Sequence, residues 1–425
     1  MVSVLSLVAI AFYAVSCTKA SPTRHATKRA WPNGPFHTEG EKILDNSGNS
    51  IKYAGVNWPG HGEAMVPEGL QYQSISKVVS DMKSIGINVI RLTYAIEMID
   101  QIYENGGDDV SLETAFTEAL GSTNGTKVLN QVLANNPSFT ADTTRLEVFD
   151  AVAAECASQE IYVHLDNHMS SGAWCCSATD GNAWFGDQYF SVANWTRGLA
   201  YMANHGKSWP NMMSMSLRNE LRQATGSGSG SAASYDWQTW YHYIKQATEA
   251  INSANSDTLI FLSGLNYDTT LAPVVRGTAL TPGTEVFNLD DFSGYADKLV
   301  LELHNYATSS TSCSSLKSDL YGKGFQAMNA SDSTTKNVFP VLMTEWGFLM
   351  TDSTWKGVYN TCLAEFLPEG SAGFMLWVLV GSYYIRSGTQ DFEETWGLLS
   401  HDWSGWRNED FVQQSFAPMI EATLS

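Results

Sequence analysis

The chain has 425 residues, 44% hydrophobic and 16% charged, with 24 basic against 44 acidic residues and a formal net charge of −20. A chain of that length and apolar fraction can bury a large core without metals or extra cross-links. The acidic balance argues against nucleic acid, an anionic membrane or a polyanionic substrate as partner, and suits a neutral polysaccharide.

The N-terminus opens on an apolar run over residues 2–15, too short to cross a bilayer, and no later stretch approaches eighteen apolar residues. Residues 1–20 therefore read as a secretory signal, cleaved after Ala20. Lys28-Arg29 stands just before Ala30 and resembles a fungal propeptide-processing site, so 21–29 reads as a propeptide and 30–425 as one catalytic domain. Four of the 24 basic residues and none of the 44 acids lie in 1–29, which leaves the domain with 20 against 44, or −24. The expectation is an extracellular monomer without a cofactor.

Cys17 lies in the signal, leaving Cys156, Cys175, Cys176, Cys313 and Cys362. Five is odd, so at most two disulfides form and one thiol remains; the connectivity stays open. One of Cys175 and Cys176 is expected in a structural disulfide rather than as a reactive thiol. No cysteine or histidine spacing matches a zinc site. Asn124, Asn194 and Asn329 head Asn-x-Ser/Thr sequons, expected on surface loops.

In chain order, Asp45-Asn46-Ser47-Gly48 reads as a hairpin cap between 36–44 and 50–53. Eight strand-like runs follow, at 53–57, 89–93, 161–166, 212–217, 259–263, 299–304, 338–344 and 373–378. Their interiors are apolar on both faces, as parallel strands covered by helices should be. Helical periodicity appears at 74–85, 145–159, 195–204 and 235–253. The alternation predicts a single-domain (β/α)8 barrel of the TIM type with an N-terminal β-hairpin. Long connections at 97–144, 222–234 and 265–297 all follow strands, which places them at the C-terminal mouth. The Gly-Ser run in the second reads as a mobile loop on the cleft rim.

Polar residues cluster at the ends of these apolar runs. Strand two delivers Arg91, strand three Asp166 and His168, strand four Asn219-Glu220, strand six His304 and Tyr306, strand seven Glu345, and strand eight Trp377. So many polar groups brought to one rim must pair or work, because burying them idle is costly. Strands four and seven face each other across a ring of eight. Their two carboxylates suit glycoside hydrolysis, with one protonated to serve the leaving oxygen and one ionised to attack.

The ordered set Arg91, His168, Asn219-Glu220, His304-x-Tyr306, Glu345 and Trp377 resembles the pattern of glycoside hydrolase family 5, the cellulase-like family of clan A, over nearly the whole chain after residue 30. The family often has Pro after Asn-Glu; here Leu221 stands there. The resemblance implies a retaining enzyme with Glu220 as acid/base and Glu345 as nucleophile. It implies that Asn219 bonds the sugar 2-hydroxyl, that His304 and Tyr306 flank the carboxylates, and that Trp377 floors the subsite. It further implies that Arg91 keeps Glu345 ionised. β-1,4-Glucan is the implied substrate, with β-mannan or exo-release of a disaccharide as alternatives.

Trp58, Trp174, Trp184 and Tyr267 follow strand ends and are candidate sugar platforms, since sugar C–H faces stack on aromatic rings. His164, mid-strand, reads as core. Two rival classes are a non-catalytic carbohydrate-binding barrel and a metal hydrolase built on His164, His168 and His304.

Overall fold

The computed structural model describes residues 31–425 except 227, 351 and 352; the signal and propeptide segments read at 1–20 and 21–29 lie outside the described residues. Three short strands come first, β1 (His37–Glu39), β2 (Lys42–Leu44) and β3 (Ser50–Ile51), paired antiparallel in that order. The hairpin expected at 45–48 thus belongs to a three-stranded sheet. Asp45 caps its turn by accepting from the Ser47 and Asn49 amides, both at 2.8 Å.

Eight parallel strands then close into a barrel in chain order: β4 (Tyr53–Trp58), β5 (Val89–Ala95), β6 (Tyr162–Met169), β7 (Met212–Ser216), β8 (Leu259–Leu262), β9 (Leu299–Asn305), β10 (Val341–Trp346) and β11 (Gly373–Leu376). These are the eight predicted runs, with ends moved by a few residues. The principal covering helices are α1 (Ile75–Ser84), α2 (Ile96–Glu104), α3 (Leu112–Asn135), α4 (Arg145–Ser158), α5 (Val192–His205), α6 (Trp237–Ala254), α7 (Cys313–Lys323), α8 (Val358–Gly370) and α9 (Ala417–Leu424). Local chemistry starts them. Ser74, Ser191 and Asp236 each accept from the backbone amide three residues on, and Thr144 with Glu147 forms a full capping box. No helix among the described residues is long and apolar enough to cross a membrane.

Three expectations change. The connection 97–144 is not a loop but largely α2 and α3. The Gly-Ser segment is hydrogen-bonded to the loop after β6, through Thr225 N to Ala178 O and Ala233 N to Phe185 O, both 2.8 Å. The strands are not apolar on both faces: Asn57, Arg91, His164, Asp166, Ser214, Ser216, Glu302 and Thr344 are all buried. They fall at alternate positions along their strands, so they share the lumen face, and the outward positions carry the apolar side chains that meet the helices. Below them Tyr53, Val89, Tyr162 and Phe261 form an apolar floor, on which Phe36 of the N-terminal segment packs.

After the eighth barrel strand the chain makes a hairpin that the sequence reading did not include, β12 (Ser382–Arg386) with β13 (Thr389–Glu393). Its turn, Ser387-Gly388, has φ of 52° and 80° at both central residues, the mirror-image turn that tight hairpins favour. Helix α3 braces it: Phe116 meets Tyr384 edge-on at 4.9 Å, and Gln390 Nε2 donates to Leu120 O at 2.9 Å.

Cys313 and Cys362 are bonded, Cys175 is bonded to its neighbour Cys176, and Cys156 is a buried free thiol. Of the sequons, exposed Asn329 stands in a turn, whereas Asn124 lies inside α3 and Asn194 in the first turn of α5, so the surface-loop expectation fails for those two. The Asn194 amide is also engaged, donating to Asp100 at 2.9 Å.

Candidate active site

A cavity of 270 Å³ opens at the C-terminal mouth, and both carboxylates, Glu220 and Glu345, line it. One oxygen of each, with one nitrogen of His304, lies within 4.8 Å of the others. A pair this close belongs with the retaining spacing of about 5–5.5 Å rather than the roughly 6.5–9.5 Å of inverting enzymes.

Glu345 sits at the end of β10, where the register with β9 shifts between Met343 and Glu345. Such an irregularity re-aims a side chain at a strand end. Next to it, a Cβ on Gly347 would collide with the Trp377 carbonyl, so only glycine fits there. Arg91 Nη1 donates to Glu345 Oε1 at 2.6 Å and the Tyr306 hydroxyl to Oε2 at 2.8 Å. Arg91 is fully buried and also reaches Asp166 at 2.9 Å, Asn57 at 2.8 Å and Asn219 at 2.9 Å. Burial raises the Glu345 pKa, while His304, Arg91 and Tyr306 each pull it down. The expectation that Arg91 favours the anion therefore holds as a direction, but desolvation is the larger effect.

Glu220 follows β7 with a left-handed backbone, φ 47°. Its amide donates to Asp268 Oδ2 at 2.7 Å and its carbonyl accepts from Arg222 Nη1 at 2.8 Å. Its carboxyl Oε1 lies 3.1 Å from His304 Nδ1. Burial pushes the Glu220 pKa up to about 7, against the smaller lowering by Arg222 and Arg91. Both carboxyls are desolvated but their partners differ: Glu345 is clasped by a cation and a phenol, and Glu220 faces His304, whose pKa burial lowers.

The Asn219 amide is fixed from several sides. Its Oδ1 accepts from Arg91, and its Nδ2 lies 3.3 Å from His168 Nε2. His168 Nδ1 meets Asp166 Oδ2 at 2.6 Å, so the ring of this neutral histidine donates its Nδ1–H to Asp166 in a hydrogen bond and presents Nε2 as an acceptor. His168 stacks on Trp377 at 5.2 Å and meets the tilted ring of His61 at 3.9 Å. Trp174 also lines the cavity, with Arg386, Glu394 and Trp396 from the hairpin and the segment after it.

Three predicted platforms do not reach this cavity. Trp58 is fully buried, bonded to the Glu68 carbonyl at 3.0 Å and packed against Trp403, because its position in β4 points outward to the helices. Tyr267 is half-buried beside Arg222, outside the cavity lining, in a run of three left-handed residues 266–268. Trp184 is core as well. The three histidines of the metal reading go separate ways. His164 lies between Ser214 and Ser216 at 2.8 and 2.7 Å, His168 faces Asp166, and His304 faces Glu220.

Sequence reasoning assigned no role to several residues that hold this site. Glu302, two positions before His304 on the same strand face, accepts from Ser216 and Thr344 at 2.8 Å each beneath the carboxylates. Strand period alone could have placed it in the lumen. Asp268, His61, Arg386 and Glu394 arrive from loops and the late hairpin, where no period marks them.

The sequence description of the cellulase family (glycosyl hydrolase family 5) matches residues 44–381. The chain belongs to that family. This family 5 glycoside hydrolase is 32% identical over 395 residues to a glycosyl hydrolase 5 family protein of Chamaecyparis obtusa, covering 89% of this chain and 65% of that protein. It thus spans just under two-thirds of that relative's length. An endoglucanase of Paenibacillus polymyxa is 23% identical over 401 residues, covering 91% of this chain and 88% of its own. Among solved structures, a cellotetraose complex of an endocellulase from Pyrococcus horikoshii superposes with a TM-score of 0.66 at 17% identity, covering 91% of this chain and 98% of that one. The catalytic domain of the major Xanthomonas campestris pv. campestris endoglucanase gives 0.61 at 19% identity, covering 91% and 99%. At such identities these two show the shared fold.

Proposed function

We propose that this family 5 enzyme is a secreted, monomeric endo-β-1,4-glucanase that hydrolyses with retention. The observation that carries the reading is the pair Glu220 and Glu345, with oxygens within 4.8 Å and different partners, Arg91 and Tyr306 on Glu345 and His304 on Glu220. Glu345, oriented by Arg91 and Tyr306, attacks the anomeric carbon while Glu220 gives its proton to the glycosidic oxygen, and the C–O bond breaks. The resulting ester removes the Glu345 charge, which lets Glu220 ionise more readily. As a carboxylate it takes a proton from water, and the hydroxide oxygen displaces Glu345 from the other face. Asn219 would bind the sugar 2-hydroxyl and Trp377 its apolar face.

The names of the relatives support a β-glucan. Residues 2–15 and Lys28-Arg29 support secretion from a fungal cell, with exposed Asn329 as the best-placed glycan acceptor. A second reading, release of short products from a chain end, is favoured by Arg386 and Glu394. Their ion pair of 2.7 Å stands beside Trp174 in the cleft wall.

The test is incubation with carboxymethyl cellulose, mixed-linkage glucan, mannan and aryl diglycosides, sizing the products and following the first anomer by NMR. Oligomers of mixed length appearing first as the β-anomer are expected. A single disaccharide selects the second reading; an α-anomer formed first, or turnover of mannan alone, overturns the proposal.

A further inference from the structure

The linked pair Cys175 and Cys176 has no part in the chemistry above, yet it borders the reacting groups. Both residues line the catalytic cavity. Their sulfurs and a carboxylate oxygen of Glu220 all lie within 4.8 Å of one another. The Asn219 Nδ2 is 3.4 Å from Cys175 Sγ and 3.5 Å from Cys176 Sγ. The same nitrogen faces His168 Nε2, and the amide oxygen is held by Arg91. The loop that carries the pair is tied back to the acid/base segment by one side chain. Arg222 donates from Nε to Ser177 O at 2.9 Å, from Nη2 to Asp180 at 2.6 Å and from Nη1 to the Glu220 carbonyl.

Sulfur in this form is apolar, polarisable and only a weak acceptor. It can occupy a cleft wall without hydrating a carboxyl, and it gives the Asn219 NH2 weak acceptors beside His168 Nε2. Resting on the retaining reading above, we propose that the Cys175–Cys176 bond is a positioning element of the acid/base side, seating the Asn219 amide and keeping water from Glu220. Reduction takes two electrons and two protons and yields two thiols. Two non-bonded sulfurs need more room than a bonded pair, so the loop must shift, Asn219 loses its seat and water reaches Glu220. A better solvated carboxyl ionises at lower pH.

The test uses the secreted enzyme. Thiol titration in denaturant should find one thiol, Cys156. The profile of kcat/KM against pH is then recorded for wild type, for wild type treated with a phosphine reductant and reoxidised, for C175A/C176A, and for C313A/C362A as the control that removes the other bridge. We expect the alkaline limb of the reduced enzyme and of C175A/C176A to move to lower pH by about half a unit to one unit. KM should rise severalfold, reoxidation should restore both, and the C313A/C362A limb should stay where the wild type has it. An unmoved limb after reduction, or more than one thiol before it, overturns the inference. If C175A/C176A does not fold, the reduction and reoxidation of the wild type decide. A wild type that hydrolyses no β-glucan sinks the functional reading and this inference with it; one that does, with an unmoved limb, sinks this inference alone.

Discussion

The backbone N–H of Glu220 donates to the Asp268 carboxylate across 2.7 Å, and both residues are left-handed, with φ of 47° and 55°. Such conformations cost about 1–3 kcal/mol each and persist only where the surroundings hold them. Leaving a buried N–H unpaired costs about 1–3 kcal/mol, or roughly five- to 150-fold in rate if the loss falls on the transition state. Asp268→Ala should therefore lower kcat by about tenfold or more with little change in KM. Asp268→Asn, whose amide oxygen can still accept, should stay closer to wild type. Equal kcat in wild type and Asp268→Ala would refute the link.

Glu345→Gln keeps the size and one acceptor for Arg91, turns a donor toward Tyr306, and removes the proposed nucleophile. Turnover should fall by on the order of a thousandfold or more. The far-ultraviolet circular dichroism should be unchanged. A folded variant that retains substantial activity would remove Glu345 from its role.

In the proposed mechanism Glu220 must be protonated to serve the leaving group, and burial pushes its pKa up to about 7. Activity should therefore fall as pH rises through about 7, and kcat/KM should show that alkaline limb. In Glu220→Ala the limb should vanish, with the greatest loss on poor leaving groups and little on a dinitrophenyl glycoside. Stability moves the same way. A carboxyl whose folded pKa lies above the usual 4.5 binds more protons folded than unfolded between the two values. Its contribution is present below 4.5 and is lost as pH climbs to about 7. A thermal midpoint that rises across that window in wild type relative to Glu220→Gln would contradict this sign.

Trp174 lines the cleft with the Arg386 guanidinium 3.4 Å from its ring, and it makes no hydrogen bond to either carboxyl. Trp174→Ala should raise KM about tenfold and leave kcat nearly unchanged, the mark of binding shared by ground and transition states. A fall in kcat at constant KM would mean that it orients the reacting sugar instead.

The Cys313–Cys362 bridge closes a segment of 49 residues between α7 and α8. Cross-linking a loop of that length restricts the unfolded chain, worth about 2–4 kcal/mol. C313A/C362A should lower the denaturant midpoint accordingly. An unchanged midpoint would place that restriction elsewhere.

The barrel was legible because its signal is periodic. Eight apolar runs alternating with helical stretches admit few other folds, and the groups at their C-terminal ends had to converge. Hence Arg91, His168, Asn219, Glu220, His304, Tyr306, Glu345 and Trp377 all gather within one mouth. What stayed hidden depends on direction rather than order. Trp58 ends a strand as the others do, yet its side chain faces the helices; a one-residue difference in phase decides between cleft and core. Ser387-Gly388 was a readable turn signal, but the hairpin it closes carries Arg386 into the cleft only because α3 stands beneath it. Asp268 meets Glu220 from a loop whose left-handed path no propensity announces.

Trp31 stacks on Tyr162 at 5.2 Å and Phe36 seals the floor of the barrel, at the strand ends opposite the mouth. Any module grafted ahead of Trp31 would hang from the foot of the molecule. A cellulose-anchoring domain or an immobilisation tag placed there would leave the mouth free to meet a polymer, whereas the same tag inserted in the β12–β13 turn would crowd the cleft.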